Sequence, residues 1–319
     1  MLGRRQFRIK VFQALYAWFE GGETRQDVAE KQLLQSIEKF YELYFYLLSF
    51  FLEVIDFYRR RTEDARHKFY PTEEEKNPNL KLIENSVIQI FQQNKSLEHK
   101  IVTYKISWTE DQEMIRGIFN KIKAGKEYSE YLNSGNKSFD EDREIVFRLF
   151  KKYIARSAAL QSYFEEKNIY WADDFDAACV FVLKTIRLIR EDHSPENSFP
   201  ELFKKMDGDD PEDDRRFIVN LFRFTIGQSE KLEKMIEGKT HNWELDRIAL
   251  SDIILIKMAL VELIHFPSIP VKVTLNEYID LSKMFSTPKS KLFINGILDK
   301  MVEELNVDKK IRKTGRGLV

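Results

Sequence analysis

Residues 270–300 read PVKVTLNEYIDLSKMFSTPKSKLFINGILDK. Pro270 suits the first turn of a helix, where its missing N–H costs nothing. Leu275, Tyr278, Ile279 and Leu281 then recur at helical spacing. Ser286-Thr287-Pro288 ends that helix and opens another, with Thr287 as N-cap and Pro288 at the first helical position. Leu292, Phe293, Ile294, Ile297, Leu298 and Met301 give the second helix its apolar face. Gly296, in mid-helix, is unfavourable by about 1 kcal/mol against alanine, so the spacing predicts a second backbone passing close to it.

Composition extends this helical reading to the whole chain. Of 319 residues, 43% are hydrophobic and 25 are Phe, which points to a folded core. Only 12 Gly and 8 Pro interrupt it, and β-branched runs are rare. The expected fold class is therefore all-α. A single cysteine, Cys179, cannot form an internal disulfide and suits a reducing compartment. The longest apolar run, Leu43 to Leu52, is far short of the roughly 20 residues that span a bilayer. Met1 to Arg8 leads into an amphipathic helix and not into the short apolar core of a secretory signal, so a cytoplasmic location without membrane contact is expected. The net charge is −1, but Arg4, Arg5, Arg8 and Lys10 precede the first acid, and Lys309, Lys310, Arg312, Lys313 and Arg316 crowd the other end. Such basic ends can hold a polyanion locally or serve as solubilising tails, and charge alone does not choose.

Residues 3–20 read as a helix closed by Gly21-Gly22. Arg4 and Arg8 share one face of it. Cations at a helix N-terminus oppose the macrodipole, so a purely structural helix gains nothing from them, whereas an RNA-binding one does. An aromatic-rich helix is predicted over 40–61, ending in Arg59-Arg60-Arg61. Aromatic stacking beside a basic cluster is one way to hold nucleic acid. Here the apolar residues cover too much of the circumference, which favours a core helix with a solvated end. Loops are predicted at 70–78 and 133–138, and helices over 80–103 and 109–123, the latter opened by the capping box Thr109-Glu110-Asp111-Gln112.

Residues 142–195 align without a gap on residues 214–267. Identical pairs include Asp142/Asp214, Leu149/Leu221, Phe150/Phe222, Ser157/Ser229, Trp171/Trp243, Asp174/Asp246, His193/His265 and Pro195/Pro267. Ungapped agreement of this length argues for a duplicated helical unit.

The opening stretch carries a wider resemblance. Pro270, Lys272, Val273, Asn276, Glu277, Ile279, Leu281, Lys283, Phe285, Ser290, Phe293, Asn295, Gly296, Leu298, Asp299 and Lys300 follow the order of the C-terminal signature of the NusB family. Arg4, Arg5, Arg8, Gln13, Ala14, Leu15 and Tyr16 resemble that family's arginine-rich opening, with Gln6 where a third arginine is common. The run Asn242-Trp243 to Asp252 and Ala259 to Leu263 is similar as well. The resemblance implies a NusB-like helical bundle formed by 1–40, with a second helix over 24–39, and by 212–307, an extra helical insertion at 41–139, the duplicated unit at 140–211 and a basic tail at 308–319. It implies an antitermination factor that binds boxA-like single-stranded RNA together with NusE, a small-subunit ribosomal protein, and so acts indirectly on the RNA polymerase elongation complex, chiefly in ribosomal RNA transcription. By the same resemblance Arg4, Arg5, Arg8, Lys289, Lys291 and Phe293 contact RNA, while Tyr16 and Asp252 contact NusE. Lys289 stands where the family commonly has an acid, and Lys291-Leu292-Phe293 displaces the family's Lys-Phe pair.

No catalytic constellation accompanies these features, and no cofactor or metal is expected. Glu262 and His265 have the spacing of a di-iron ligand pair, but the repeat carries Arg190 where Glu262 stands. The five histidines lack zinc spacing, and no glycine-rich phosphate loop is present. An RNA-modifying enzyme, suggested by NusB-like domains fused to some RNA methyltransferases, lacks its catalytic domain here. A helical protein-interaction scaffold without specific RNA binding is the remaining alternative.

Overall fold

The computed structural model describes residues 3–22, 24–203, 213–239 and 248–318, and among these the fold is all-α with no strand. The chain divides into two compact units, Met1–Ile37 with Phe203–Val319, and Glu38–Leu202. Helix α1 (Arg4–Gly21) stops at Gly22, whose φ of 65° is left-handed and favours a residue without a Cβ. Helix α2 runs unbroken from Gln26 to Arg66. The break expected near residue 40 is absent because nothing between Lys39 and Phe40 caps or breaks a helix. The division between the units falls inside α2.

In the unit Glu38–Leu202, Phe40, Tyr44, Phe45, Phe50 and Phe51 of α2 are buried, so its aromatic residues are core. The loop expected at 70–78 contains a single capped turn, α3 (Glu73–Lys76), with a full capping box between Thr72 and Glu75. The predicted helix 80–103 is two helices, α4 (Ser86–Gln92) and α5 (Lys95–Thr103). Asn85 caps the first at Val87 and Ile88, and Asn94 restarts the second by accepting from the Leu97 amide. Helix α6 (Gln112–Lys123) begins later than the Thr109 box predicted, after Asp111, which makes no side-chain cap bond. Helix α7 (Lys126–Asn133) follows. Then come α8 (Phe139–Leu149), which widens into a π turn at Phe150–Ile154, α9 (Ala158–Lys167) and α10 (Phe175–Leu188). Trp171, between α9 and α10, is buried and donates from its indole nitrogen to the Lys39 carbonyl at 2.7 Å.

The other unit continues with α11 (Asp214–Gly227), α12 (Ser229–Glu237), α13 (Leu250–His265), α14 (Val271–Phe285) and α15 (Ser290–Val307). Shifted by 72 residues, α8, α9 and α10 fall on α11, α12 and α13, as the alignment requires. Trp243 and Asp246 lie outside the described residues. Helix α13 is buried on nearly every side, from Ile254 to Leu263, and α1, α11, α14 and α15 pack around it. Pro270 is the N-cap of α14 and not its first residue, and α15 opens at Ser290, two residues beyond Pro288. Thr287 still serves that end, through its carbonyl to the Ser290 amide at 3.0 Å. Gly296 is exposed, and a Cβ there would meet nothing within 4 Å, so no backbone passes close to it.

Candidate nucleic-acid interface

Helix α1 has no acid in its first turn, so three arginines and the positive helix end accumulate there. Their counterions come from other elements. The Arg8 side chain is 3% exposed and forks onto Glu262 of α13 with two bonds of 2.8 Å. Glu262 has no exposed surface and also accepts from Thr274 Oγ1 at 2.8 Å and Tyr278 OH at 3.1 Å, both on α14. Burial pulls the Arg8 guanidinium down, but the Glu262 charge and its hydrogen bonds outweigh that and hold it above its ordinary value. Burial, followed by the same carboxylate, pushes the Tyr278 phenol well up. Buried pairs of this kind add little net stability, but removing one partner strands a charge.

Arg5 is half exposed and bonds Glu277 at 3.0 and 2.9 Å and Asp280 at 2.9 Å. The hydrogen bond to Glu277 is the largest cause of its raised pKa. Asp280 also takes Lys283 Nζ at 2.6 Å. Arg4 lies 3.9 Å from Asp214 and over the Phe217 ring at 5.2 Å. Arg8, expected on the RNA face, therefore has its guanidinium enclosed. The cations of this helix with surface open to a ligand are Arg4 and Arg5.

Helices α1 and α14 meet at two levels, Arg5 with Glu277 and Asp280, and Phe12 with Phe285 at 4.6 Å between ring centres. They thus run in the same direction. Lys289 and Lys291 lie exposed beyond the end of α14, and Phe293 is half-buried. The five residues from Asp280 to Phe285 alone rise about 8 Å, so the two groups of cations share a unit but are not in contact. Tyr16 is 41% exposed and 6.2 Å from Phe12. Asp252, in the first turn of α13, is buried, and its Oδ1 has no hydrogen-bond partner. The neighbouring Ser251 bonds Ser286 at 3.2 Å. Each is thus linked to the end of α14 through a neighbour, Tyr16 through Phe12, which meets Phe285, and Asp252 through Ser251.

Sequence reasoning missed the acids that organise the arginines: Glu262, Glu277 and Asp280. The signal was present, since an arginine cluster without first-turn acids needs counterions, and Glu277, Asp280 and Lys283 recur every three residues on α14. Glu262 and His265 do not converge as ligands. His265 Nε2 sits 2.9 Å from Gln228 Nε2, and burial, followed by Lys231, pulls its pKa down. Among the described residues no cluster of His, Cys, Asp and Glu could hold a metal, and no helix is long and apolar enough to cross a membrane.

Residues 178–303 match the NusB family. The transcription antitermination protein NusB of Koribacter versatilis is 35% identical over 99 residues, covering 31% of this chain and 68% of that protein. This chain belongs to the NusB family. The NusB of Salinibacter ruber is 41% identical over 105 residues (33% of this chain, 66% of the relative). The NusB of Chloroherpeton thalassium is 37% identical over 103 residues (32% and 49%). The chain thus spans between half and about two thirds of the length of these relatives, while they cover about a third of it. No solved structure matches. The NusB match opens inside α10, upstream of residue 212 where the resemblance was expected to resume.

Proposed function

We propose that this NusB-family chain is a non-catalytic transcription antitermination factor that binds boxA-like single-stranded RNA together with NusE and acts through the RNA polymerase elongation complex. The supporting observation is that one unit carries the solvent-accessible cations Arg4, Arg5, Lys289 and Lys291; by the family resemblance, Tyr16 and Asp252 supply the NusE side. Single-stranded RNA is held by cations along its backbone and by planar groups against its bases, and Phe293 is the half-buried plane nearest Lys291 in the chain.

The test is fluorescence anisotropy of a labelled boxA-like RNA against a scrambled one, with and without NusE, at two salt concentrations. Three or four phosphate contacts give a log–log salt slope of about −2 to −3. Arg4→Ala with Arg5→Ala, and separately Lys289→Ala with Lys291→Ala, should each weaken binding about tenfold, or about 1.4 kcal/mol. The scaffold reading has one observation in its favour: Glu277 and Asp280 already neutralise Arg5. Equal binding of both RNAs, indifferent to these substitutions, would decide for it.

A further inference from the structure

Where α2 ends, the second unit presents an aromatic and basic surface that the relatives do not account for. Most rings of α2 are buried, but Phe69 and Tyr70, just past its end, are 88% and 86% exposed, and they pack edge to face at 4.7 Å. Two adjacent aromatic rings left almost wholly in water gain nothing for folding. Beside α2's last turns an open groove of about 650 Å³ is lined by Tyr58 and Arg61 from α2, by Lys68 just past its end, and by Phe119 and Lys123 from α6. Tyr58 and Phe119 stack at 5.0 Å and 23°, giving it an apolar floor.

The cations of this region fall into two kinds. Arg59, Arg60 and Lys68 are paired with Asp56, Glu53 and Glu75. Arg61 and Lys123 are exposed and make no ion pair with any described residue. Two acids, Asp64 and Glu75, also line the groove, and Glu75 is held by Lys68 and by the Thr72 amide. Over residues 57–70, five cations face two acids.

We propose that this surface is a second binding site, for single-stranded nucleic acid. Arg61 and Lys123 hold the phosphates along the groove, and Phe69 and Tyr70 take the bases by stacking. The aromatic pair follows directly on Lys68, which lines the groove with the unpaired cations. Exposed rings together with free cations are the combination that binds single strands with little sequence preference. A site of this kind in the enlarged region would grip RNA flanking whatever sequence the other unit selects. It does not depend on the boxA reading.

The test uses the full chain carrying Arg4→Ala and Arg5→Ala, so that the first candidate site is weakened, with a labelled 20-nucleotide oligouridylate as probe. Phe69→Ser with Tyr70→Ser should weaken binding about tenfold, and Arg61→Glu with Lys123→Glu should do so while flattening the salt slope by about 1.4. Photo-crosslinking of the same RNA should fall on Phe69 or Tyr70. All four side chains are on the surface, and unchanged melting confirms that the variants fold. Affinity that ignores both pairs of substitutions overturns the proposal. So does a loss confined to the charge variant with polyglutamate competing as well as the RNA, which would mark a patch for an acidic protein. A failed boxA measurement with a positive result here leaves this site standing, and the reverse outcome removes it alone.

Discussion

In the first copy of the repeat, Thr185 of α10 is buried and takes the Tyr44 hydroxyl at 3.0 Å. At the corresponding place in the second, Lys257 of α13 is equally buried and sends its ammonium to Ser229 at 2.8 Å and Glu233 at 2.5 Å. The partners shift as a set, because Glu233 corresponds to Gln161, and Ser229 to Ser157, which merely caps α9. Five residues further on, exposed Arg190 corresponds to enclosed Glu262. At these positions one pattern of helices thus carries a buried hydroxyl and an exposed arginine in one copy, and a buried lysine and a buried glutamate in the other. The helical pattern is set by apolar spacing, whereas the charges belong to the copy whose continuation carries the family signature.

The sharpest way to break the comparison is at that last pair. Arg8→Ala strands the buried Glu262 carboxylate and should cost about 3–5 kcal/mol, whereas Arg190→Ala should stay within about 0.5 kcal/mol. Urea unfolding of the two variants measures both. Similar losses would mean that the two copies are not differentiated as described. A smaller contrast is expected one turn earlier. Thr185→Val leaves the buried Tyr44 hydroxyl without its partner and should cost about 1–2 kcal/mol. Lys257→Met should cost about 1 kcal/mol or less, because Glu233 is partly exposed and can turn to solvent.

The smallest effect is one of pH. Burial pulls the Lys313 ammonium down to about 8, against an opposing pull from Glu262. The folded chain therefore releases this proton more readily than the unfolded one, so stability should rise with pH between about 8 and 10.5. Partial solvent screening limits the gain to about 1 kcal/mol. Lys313→Met should remove it, as melting temperatures across that range would reveal.

Much of this fold was legible in the sequence, because an all-α chain writes its buried faces as apolar periodicity. The 72-residue repeat and the helices of residues 270–307 are of that kind. What was misread turned on local hydrogen bonds. Asn85 and Asn94 cap helices in a stretch that reads as continuous, and no feature near residue 40 marks a stop that does not occur. The arginines of α1 were legible as a cluster. Their different environments were not, because Glu262, Glu277 and Asp280 lie more than 250 residues away and only the fold brings them together.

The basic segment after α15 has a further consequence. Lys309 takes a left-handed φ of 55° and Lys310 donates to the Leu305 carbonyl at 2.9 Å, which turns the chain at the helix end. Thr314 then bonds the Pro267 carbonyl at 3.0 Å, and Lys313 caps α13 through the Phe266 carbonyl at 3.1 Å. Lys309, Lys310 and Arg312 are therefore exposed on a short span fixed at both ends. A floating basic arm loses roughly 1–2 kcal/mol of backbone entropy for each residue that a polyanion immobilises. Here folding has already absorbed that loss, so the segment is preorganised: it meets a polyanion as a rigid edge and not as a sweeping tether.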